Sequence, residues 1–144
     1  MFNALNISAT GLTAQRLRMG VISENIANIN TTRTTEGGPY KRKVALFQEI
    51  PDLNFSRVFQ NAMNRAALGA GVRVSEVTAD NTPGGSVYEP GHPDADADGY
   101  VAMPNVNIIE EMVDMISASR SYEANVTALN SSKAMIAKTM EIGR

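Results

Sequence analysis

Apolar residues recur at alternating steps of four and three along the first part of the chain. Starting from Met1, these steps reach nine positions as far as Ile29, and seven of the nine are apolar. This spacing places the apolar side chains on one face of an α-helix. The sequence therefore predicts a long N-terminal helix within residues 1–31.

The same spacing returns at the other end of the chain, between Ile108 and Met140, where eight of ten positions are apolar. Asn107 and Glu110 resemble a capping box, and Gly143 follows the last apolar position, where a helix commonly stops. We therefore predict a second long helix within residues 105–144. Three further apolar residues widen its face, as expected for a helix that touches more than one neighbour: Ile109, Val113 and Ile116.

Neither helix can bury its apolar face alone, so we expect the two to pair antiparallel, with any remaining apolar face buried on another molecule. An internal hairpin without a further partner stays open as an alternative, and the polar positions Gln15 and Lys133 fit both. Gly11 and Gly20 each cost up to about 1 kcal/mol relative to Ala, so the first helix should order fully only when packed. The predicted assembly seam consists of Leu5, Leu12, Met19, Ile26, Met112, Met115, Tyr122, Val126, Leu129 and Ile136.

The middle of the chain, residues 32–104, is rich in glycine and proline and contains short alternating runs. Apolar residues two apart indicate strands: Val44 with Leu46, Leu53 with Phe55, and Val72 with Val74. The segment 60–68 fits a helical turn as well as an irregular tip. The predicted fold is mainly α, with a small, loop-rich β element inserted between two paired helices.

Composition narrows the possible functions. The 144 residues carry a net charge of −2 and contain no cysteine, which excludes disulfides and thiolate metal sites. There is no basic stripe of the kind that binds nucleic acid, and Lys41-Arg42-Lys43 is interpreted as a solvated strand start. No cleavable leader and no membrane-spanning run of apolar residues is recognised.

Two features could suggest chemistry, and neither supports a catalytic, cofactor or metal site. His92 lies between prolines without a nucleophile or base beside it. Asp94, Asp96, Asp98 and Gly99 match the first half of a calcium-binding loop, but Asn105 stands where the bidentate Glu is required. We interpret the run as an acidic turn and expect no enzyme activity.

Two sequence motifs resemble the bacterial flagellar rod and hook proteins. The first runs from Gly11 to Gln15 and continues from Asn25 to Thr31; its centre is formed by Ala27, Asn28, Asn30 and Thr31. The second runs from Val87 to Val106 and is similar to the proximal-rod members of that family. Agreement is poorest over 53–67.

This resemblance implies a structural subunit of the periplasmic rod, the tubular drive shaft that encloses the export channel. It also implies export by the flagellar type III apparatus without a cleaved leader. The implied partners are copies of the chain and rod proteins of the FlgB, FlgF, FlgG and FliE types. The expected inter-subunit loop comprises Tyr88, Glu89, Pro90, Gly91, Gly99, Tyr100, Met103, Pro104 and Asn105. A secreted helical-hairpin effector or chaperone-like module is the alternative from a different class, and a small metal-binding enzyme is a weaker one.

Overall fold

The computed structural model describes residues 2–35, 37–51 and 70–142. Two long helices flank a small β region in sequence, as predicted. Helix α1 spans Phe2–Ala27 and helix α2 spans Ile108–Ile142. The strands between them are β1 (Lys43–Glu49), β2 (Val72–Ala79), β3 (Ser86–Tyr88) and β4 (Tyr100–Ala102). The predicted strand at Leu53 and Phe55, the undecided segment 60–68 and the predicted stop at Gly143 lie outside the described residues.

The chain divides into two compact units. The unit that contains both chain ends, here called the terminal unit, comprises Met1–Leu17, Leu46–Glu76 and Ser119–Arg144. The other, here called the central unit, comprises Arg18–Ala45 and Val77–Ala118.

Local sequence sets the helix ends. The side-chain oxygen of Asn107 accepts a hydrogen bond from Ile109 N at 3.0 Å, which caps the first turn of α2 as the sequence predicted. Helix α1 ends at Ala27, and Asn28 Nδ2 then donates to the carbonyl of Glu24 at 2.9 Å. An amide side chain thus satisfies one of the carbonyls that a helix end leaves without a partner.

Strands β1 and β2 form one two-stranded sheet. Ile50 N donates to Gly71 O at 2.9 Å near one end, and Asp80 N donates to Arg42 O at 2.7 Å near the other. These two bonds show that the strands are antiparallel. The predicted strand pairs at 44 and 46 and at 72 and 74 are confirmed.

A second antiparallel sheet joins β3 to β4, with Val87 opposite Val101 and Tyr88 opposite Tyr100. Val101 is buried, and the two tyrosine rings meet edge to face with centroids 5.3 Å apart. The sequence did not predict this sheet. Its strands are three residues long, which is too short for an alternating pattern to be recognised.

Among the described residues, few are fully buried, and they lie in both units. The buried apolar residues of the central unit are Val21, Ile22, Tyr40, Val101 and Ala118. In the terminal unit, Ala14 and Gly11 are buried. A Cβ added at Gly11 would lie 3.1–3.3 Å from the side chain of Asn125, so this glycine permits close approach between α1 and α2. The sequence analysis treated Gly11 only as a residue that destabilises the helix. In the fold, its small size allows the two helices to pack.

Residue 71 shows why a glycine precedes β2. Gly71 has φ +131°, a conformation that L side chains rarely adopt, and a Cβ there would collide with Thr10 Oγ1. That hydroxyl accepts a hydrogen bond from Val72 N at 3.2 Å and donates to Ile7 O at 2.7 Å. Thr10 therefore ties α1 to the start of β2 within the terminal unit.

Candidate assembly surface

The inward side of the first turns of α2 is polar. Glu111 and Asn25 are buried, with relative exposures of 0% and 1%. Asn25 Nδ2 donates to Glu111 Oε2 at 3.1 Å and to Lys43 O at 2.9 Å. Asn25 Oδ1 accepts from Tyr40 Oη at 3.0 Å and from Lys43 N at 2.9 Å. All the hydrogen-bonding capacity of this buried amide is used, which offsets the cost of burying it.

Arginine side chains also contact this cluster. We call the whole group, which includes Asn25, Tyr40 and Glu111, the polar junction. Arg42 Nε lies 2.5 Å from Glu111 Oε1, and Arg42 Nη2 lies 3.4 Å from Asp114 Oδ2. Arg18 Nη2 reaches Asp114 Oδ1 at 2.8 Å. Lys43 forms an ion pair with Glu24. The prediction that residues 41–43 are a solvated run is therefore wrong for Arg42, whose side chain is 24% exposed. Charge runs usually face water, but here the buried carboxylate of Glu111 and the half-buried carboxylate of Asp114 on α2 provide partners.

Two pKa values shift at the junction. Burial by itself would lower the pKa of the Arg42 guanidinium, but the hydrogen bond and charge of Glu111 outweigh it, so the pKa is raised above its ordinary value. Burial raises the pKa of Tyr40 above its ordinary value of 10.0, and the charge of Glu24 adds to this rise. Both directions favour the protonation states that the hydrogen bonds require.

The outward side of the same turns is apolar. Ile109, Met112, Val113 and Ile116 have relative exposures of 69%, 55%, 62% and 53%. We call these four residues the outer stripe. They lie at positions i, i+3, i+4 and i+7 of α2, so they share one face. This segment therefore has polar residues inside and apolar residues outside, the reverse of a helix on the surface of a soluble monomer.

The residues predicted for the assembly seam lie in two environments. Met112 belongs to the outer stripe and is exposed. The other nine are half-buried within the chain: Leu5, Leu12, Met19, Ile26, Met115, Tyr122, Val126, Leu129 and Ile136. Most of the predicted seam thus packs at least partly inside one molecule, while the residues that broadened the face of α2 lie outside.

The terminal unit carries an apolar groove of about 520 Å³. One wall is formed by α1, with Ala9, Thr13 and Leu17 one turn apart along it. The other wall is formed by Ile50 and the neighbouring residues 72–74 of β2. We call this feature the terminal groove. Leu17, on its helical wall, is nearly half exposed at 46%.

The predicted inter-subunit loop has exposed and internal members. Tyr88, Glu89, Pro90, Gly91 and Tyr100 are exposed, and Met103 is half-buried. Gly99 and Pro104 are buried. Asn105 Oδ1 accepts from Arg42 N at 2.8 Å, and Asn105 Nδ2 donates to Asp80 O at 3.2 Å. Asn105 therefore positions the backbone of Arg42 inside the central unit.

The acidic run of Asp94, Asp96 and Asp98 lies in the turn between β3 and β4 and forms hydrogen bonds there. Asp96 Oδ1 accepts hydrogen bonds from the amides of Asp98 at 2.9 Å and Tyr100 at 3.2 Å. The amide of Asp94 donates to His92 Nδ1 at 3.1 Å, and Thr32 Oγ1 donates to Asp94 Oδ2 at 2.9 Å. Within the described ranges, no three His, Cys, Asp or Glu side chains gather as metal ligands would.

Sequence reasoning missed the polar junction. One signal was present: Glu111, Asp114 and Ala118 recur at three- and four-residue steps opposite the apolar positions. This spacing marks a second face of α2 but does not reveal that it points inward. Nothing in the sequence pairs Arg42 with that face, because the contact joins residues 69 positions apart.

Neither described helix combines the length and apolar character that a bilayer crossing requires. Two family models match the chain: residues 5–33 match "Flagella basal body rod protein", and residues 97–142 match "Flagellar basal body rod FlgEFG protein C-terminal". The first match contains α1 from residue 5 and the motif that follows it. The second contains β4 and α2.

Curated relatives match the chain over nearly its whole length. The flagellar basal-body rod protein FlgC of Borreliella burgdorferi is 48% identical, over 99% of this chain and 97% of that protein. The FlgC protein of Bacillus subtilis is 47% identical over 99% and 98%, and that of Salmonella typhimurium is 40% identical over 100% and 98%. The chain therefore belongs to the family of flagellar basal-body rod proteins, in its FlgC branch.

Proposed function

We propose that this chain is a structural subunit of the proximal part of the flagellar rod, where it packs with copies of itself and other rod proteins into a tubular shaft. The observation that carries the proposal is the reversed amphipathicity of the first turns of α2. A segment with buried Glu111 and exposed Ile109 and Val113 leaves an apolar surface in water. That arrangement fits a chain whose outer surface is covered by neighbours.

The terminal helices form the packing element of this proposal. Arg18 meets Asp114 and Asn25 meets Glu111, so α1 and α2 run in opposite directions within the central unit. In the terminal unit, Gly11 lies against Asn125. These contacts support an antiparallel, coiled-coil-like pairing of the two ends, as the heptad-like spacing predicted.

The role of such a subunit is mechanical. Burying one large aliphatic side chain contributes up to about 1.5–3 kcal/mol, so covering the outer stripe would favour packing of a subunit against its neighbour. Torque then passes from subunit to subunit through packed side chains, and no covalent bond changes. The FlgC relatives are rod proteins by name, which supports a non-enzymatic function.

We place the subunit in the periplasmic rod, reached through the flagellar type III export apparatus without a cleaved leader. Its neighbours are rod proteins of the FlgB, FlgF, FlgG and FliE types. Family membership supports these assignments. The rival function, a secreted helical-hairpin effector or chaperone-like module, receives no support from any of the matched proteins.

The test is a deletion strain complemented with an epitope-tagged copy of the chain. We expect the deletion to abolish filaments and swimming, and the tagged chain to restore both and to co-purify with isolated basal bodies. Cells that swim without the chain, or basal bodies that lack the tag in swimming cells, would refute the proposal. A tagged chain found free in the culture medium would instead favour the secreted effector.

A further inference from the structure

The outer stripe has the spacing of a helix that binds in a groove. Ile109, Met112, Val113 and Ile116 lie at i, i+3, i+4 and i+7, the anchor positions by which an amphipathic helix docks its apolar face. All four are more than half exposed, so the chain itself does not cover them. The stripe therefore needs a concave apolar surface on another molecule.

The terminal groove has the complementary shape and chemistry. Ala9 and Thr13 are small, so they let a second helix approach the wall formed by α1. Val72, Val74 and Ile50 supply the apolar opposite wall. A groove between a helix and a sheet edge is concave, whereas the stripe is convex.

Charge indicates how the two surfaces would be oriented. Among the described residues that line the terminal groove, Arg73 is the charged one, and it is exposed. Glu110 lies beside the outer stripe and is exposed; its charge helps to raise the pKa of Arg42, but it belongs to none of the ion pairs described above that join α1, residues 42–43 and α2. The carboxylates nearest to it, Glu111 and Asp114, are already paired with Arg42 inside the chain. Glu110 is thus the acid available to meet Arg73.

We propose that the outer stripe of one copy docks in the terminal groove of the next copy, with Glu110 of the first beside Arg73 of the second. This inference rests on the proposed function and names the contact that would build the shaft. Because stripe and groove are different surfaces, the contact is heterologous and repeats from copy to copy. Contacts of this kind generate rings or helical tubes.

Cysteine cross-linking in assembled basal bodies tests the contact directly, because the chain contains no cysteine. Thr13→Cys in the groove and Val113→Cys in the stripe would be placed on separately tagged copies and expressed together. We expect a cross-linked band that carries both tags. Each variant expressed alone should give no such dimer, and Thr13→Cys paired with Ser23→Cys, on an exposed position of α1, serves as the matched control.

Several outcomes would overturn this contact. A Val113→Cys dimer without the groove variant would indicate stripe-to-stripe packing. A band that joins Val113→Cys to a different rod protein would assign the stripe to another partner. No mixed band, in basal bodies that do contain both tags, would refute the contact while leaving the proposed function intact. Absence of both tags from basal bodies would refute the function itself.

A charge exchange tests the orientation. Glu110→Arg or Arg73→Glu alone should lower the yield of the mixed cross-link about two- to fivefold, as loss of an exposed ion pair predicts. The two changes combined, Glu110→Arg on the stripe variant and Arg73→Glu on the groove variant, should restore the yield. If the combination remains as low as either single change, the pairing of Glu110 with Arg73 is wrong.

Discussion

At the scale of single residues, Glu111 shows how a buried charge is accommodated. Its carboxylate meets the guanidinium of Arg42 on one oxygen and the amide of Asn25 on the other. Removing a buried charge from water costs several kcal/mol, and the cost is recovered only if every lone pair finds a good partner. The junction therefore contributes specificity: it holds α2, β1 and α1 of the central unit in one arrangement.

Replacing Glu111 by Ala should destabilise the fold by about 2–4 kcal/mol, because it leaves the half-buried Arg42 and the buried Asn25 without this partner. Urea denaturation followed by circular dichroism measures the change. Glu110→Ala, one residue earlier and exposed, is the matched control and should stay within about 0.5 kcal/mol of the parent. Equal effects of the two substitutions would show that the junction does not stabilise the fold.

The two glycines of α1 should respond differently to alanine. A Cβ at Gly20 meets nothing within 4 Å, so Gly20→Ala should stabilise the chain by about 0.4–1 kcal/mol. At Gly11 the new Cβ would press on Asn125, and the helix propensity gained should be cancelled or reversed. Thermal unfolding measures the change in stability of each variant. A similar increase in stability at both positions would contradict the close approach at Gly11.

Tyr40 should make stability depend on alkaline pH. Its pKa is raised by burial, so its contribution is fully present below about pH 10 and is lost as pH rises through the folded-state value. Tyr40→Phe lacks the hydroxyl that donates to Asn25 and should be about 1 kcal/mol less stable at neutral pH. We expect this difference in the free energy of unfolding to become smaller above pH 10, because only the parent contains a buried phenol that must stay neutral. A difference that stays constant to pH 11 would contradict this account.

At the scale of elements, the first turns of α2 have their polar face inside the molecule and their apolar face outside. These turns direct Glu111 and Asp114 inward and the outer stripe outward, while half-buried Tyr122, Val126 and Leu129 continue further along. Stability and assembly therefore depend on different residues of one helix. Substitutions can separate the two properties.

Val113→Asp should leave the melting temperature of the isolated chain nearly unchanged, because the side chain is already 62% exposed. It should nevertheless prevent rod assembly, since a charge would be buried against a neighbour. Leu129→Asp, at a half-buried position, should lower the melting temperature itself. Calorimetry on purified variants and swimming assays in complemented cells distinguish these results, and normal swimming with Val113→Asp would contradict our assignment of the stripe.

At the scale of the whole molecule, the burial of apolar groups is uneven. Among the described residues, most of the buried apolar side chains belong to the central unit, whereas the terminal unit buries Ala14 and Gly11. Few buried contacts mean a low local free energy of opening. We therefore expect the described helical part of the terminal unit to depend more on its neighbours than that of the central unit does.

Hydrogen exchange should reveal this difference. In the purified chain, amides of residues 3–17 should exchange faster than those of residues 18–25 in the same helix, and their protection should rise in isolated basal bodies. Mass spectrometry of peptides from α1 measures both states. Uniform protection along α1 in the purified chain would show that the terminal unit is already stable alone.

The sequence by itself determined the helices, the two strands of the first sheet and the family. Helix periodicity and the Asn107 cap are local properties, set by residues within a few positions of one another, so they can be recognised in a linear pattern. The motif from Asn25 to Thr31 indicated the family and the amide side chains that end α1, but not the contacts of Asn25. In the fold, Asn28 closes α1, and Asn25 bonds to Tyr40, Lys43 and Glu111.

Only the tertiary structure decided which face of α2 points inward. Hydrophobic periodicity identifies the faces of a helix. The apolar face is then expected to lie in the core, since burial of apolar surface is the main driving force for folding. Here Arg42 and Asn25, distant in sequence, satisfy the carboxylates of Glu111 and Asp114 and draw that polar face inside. The apolar face is therefore exposed and can pack against a neighbour. A sequence pattern cannot predict this arrangement, because the partners of the buried carboxylate are close in space but distant in sequence.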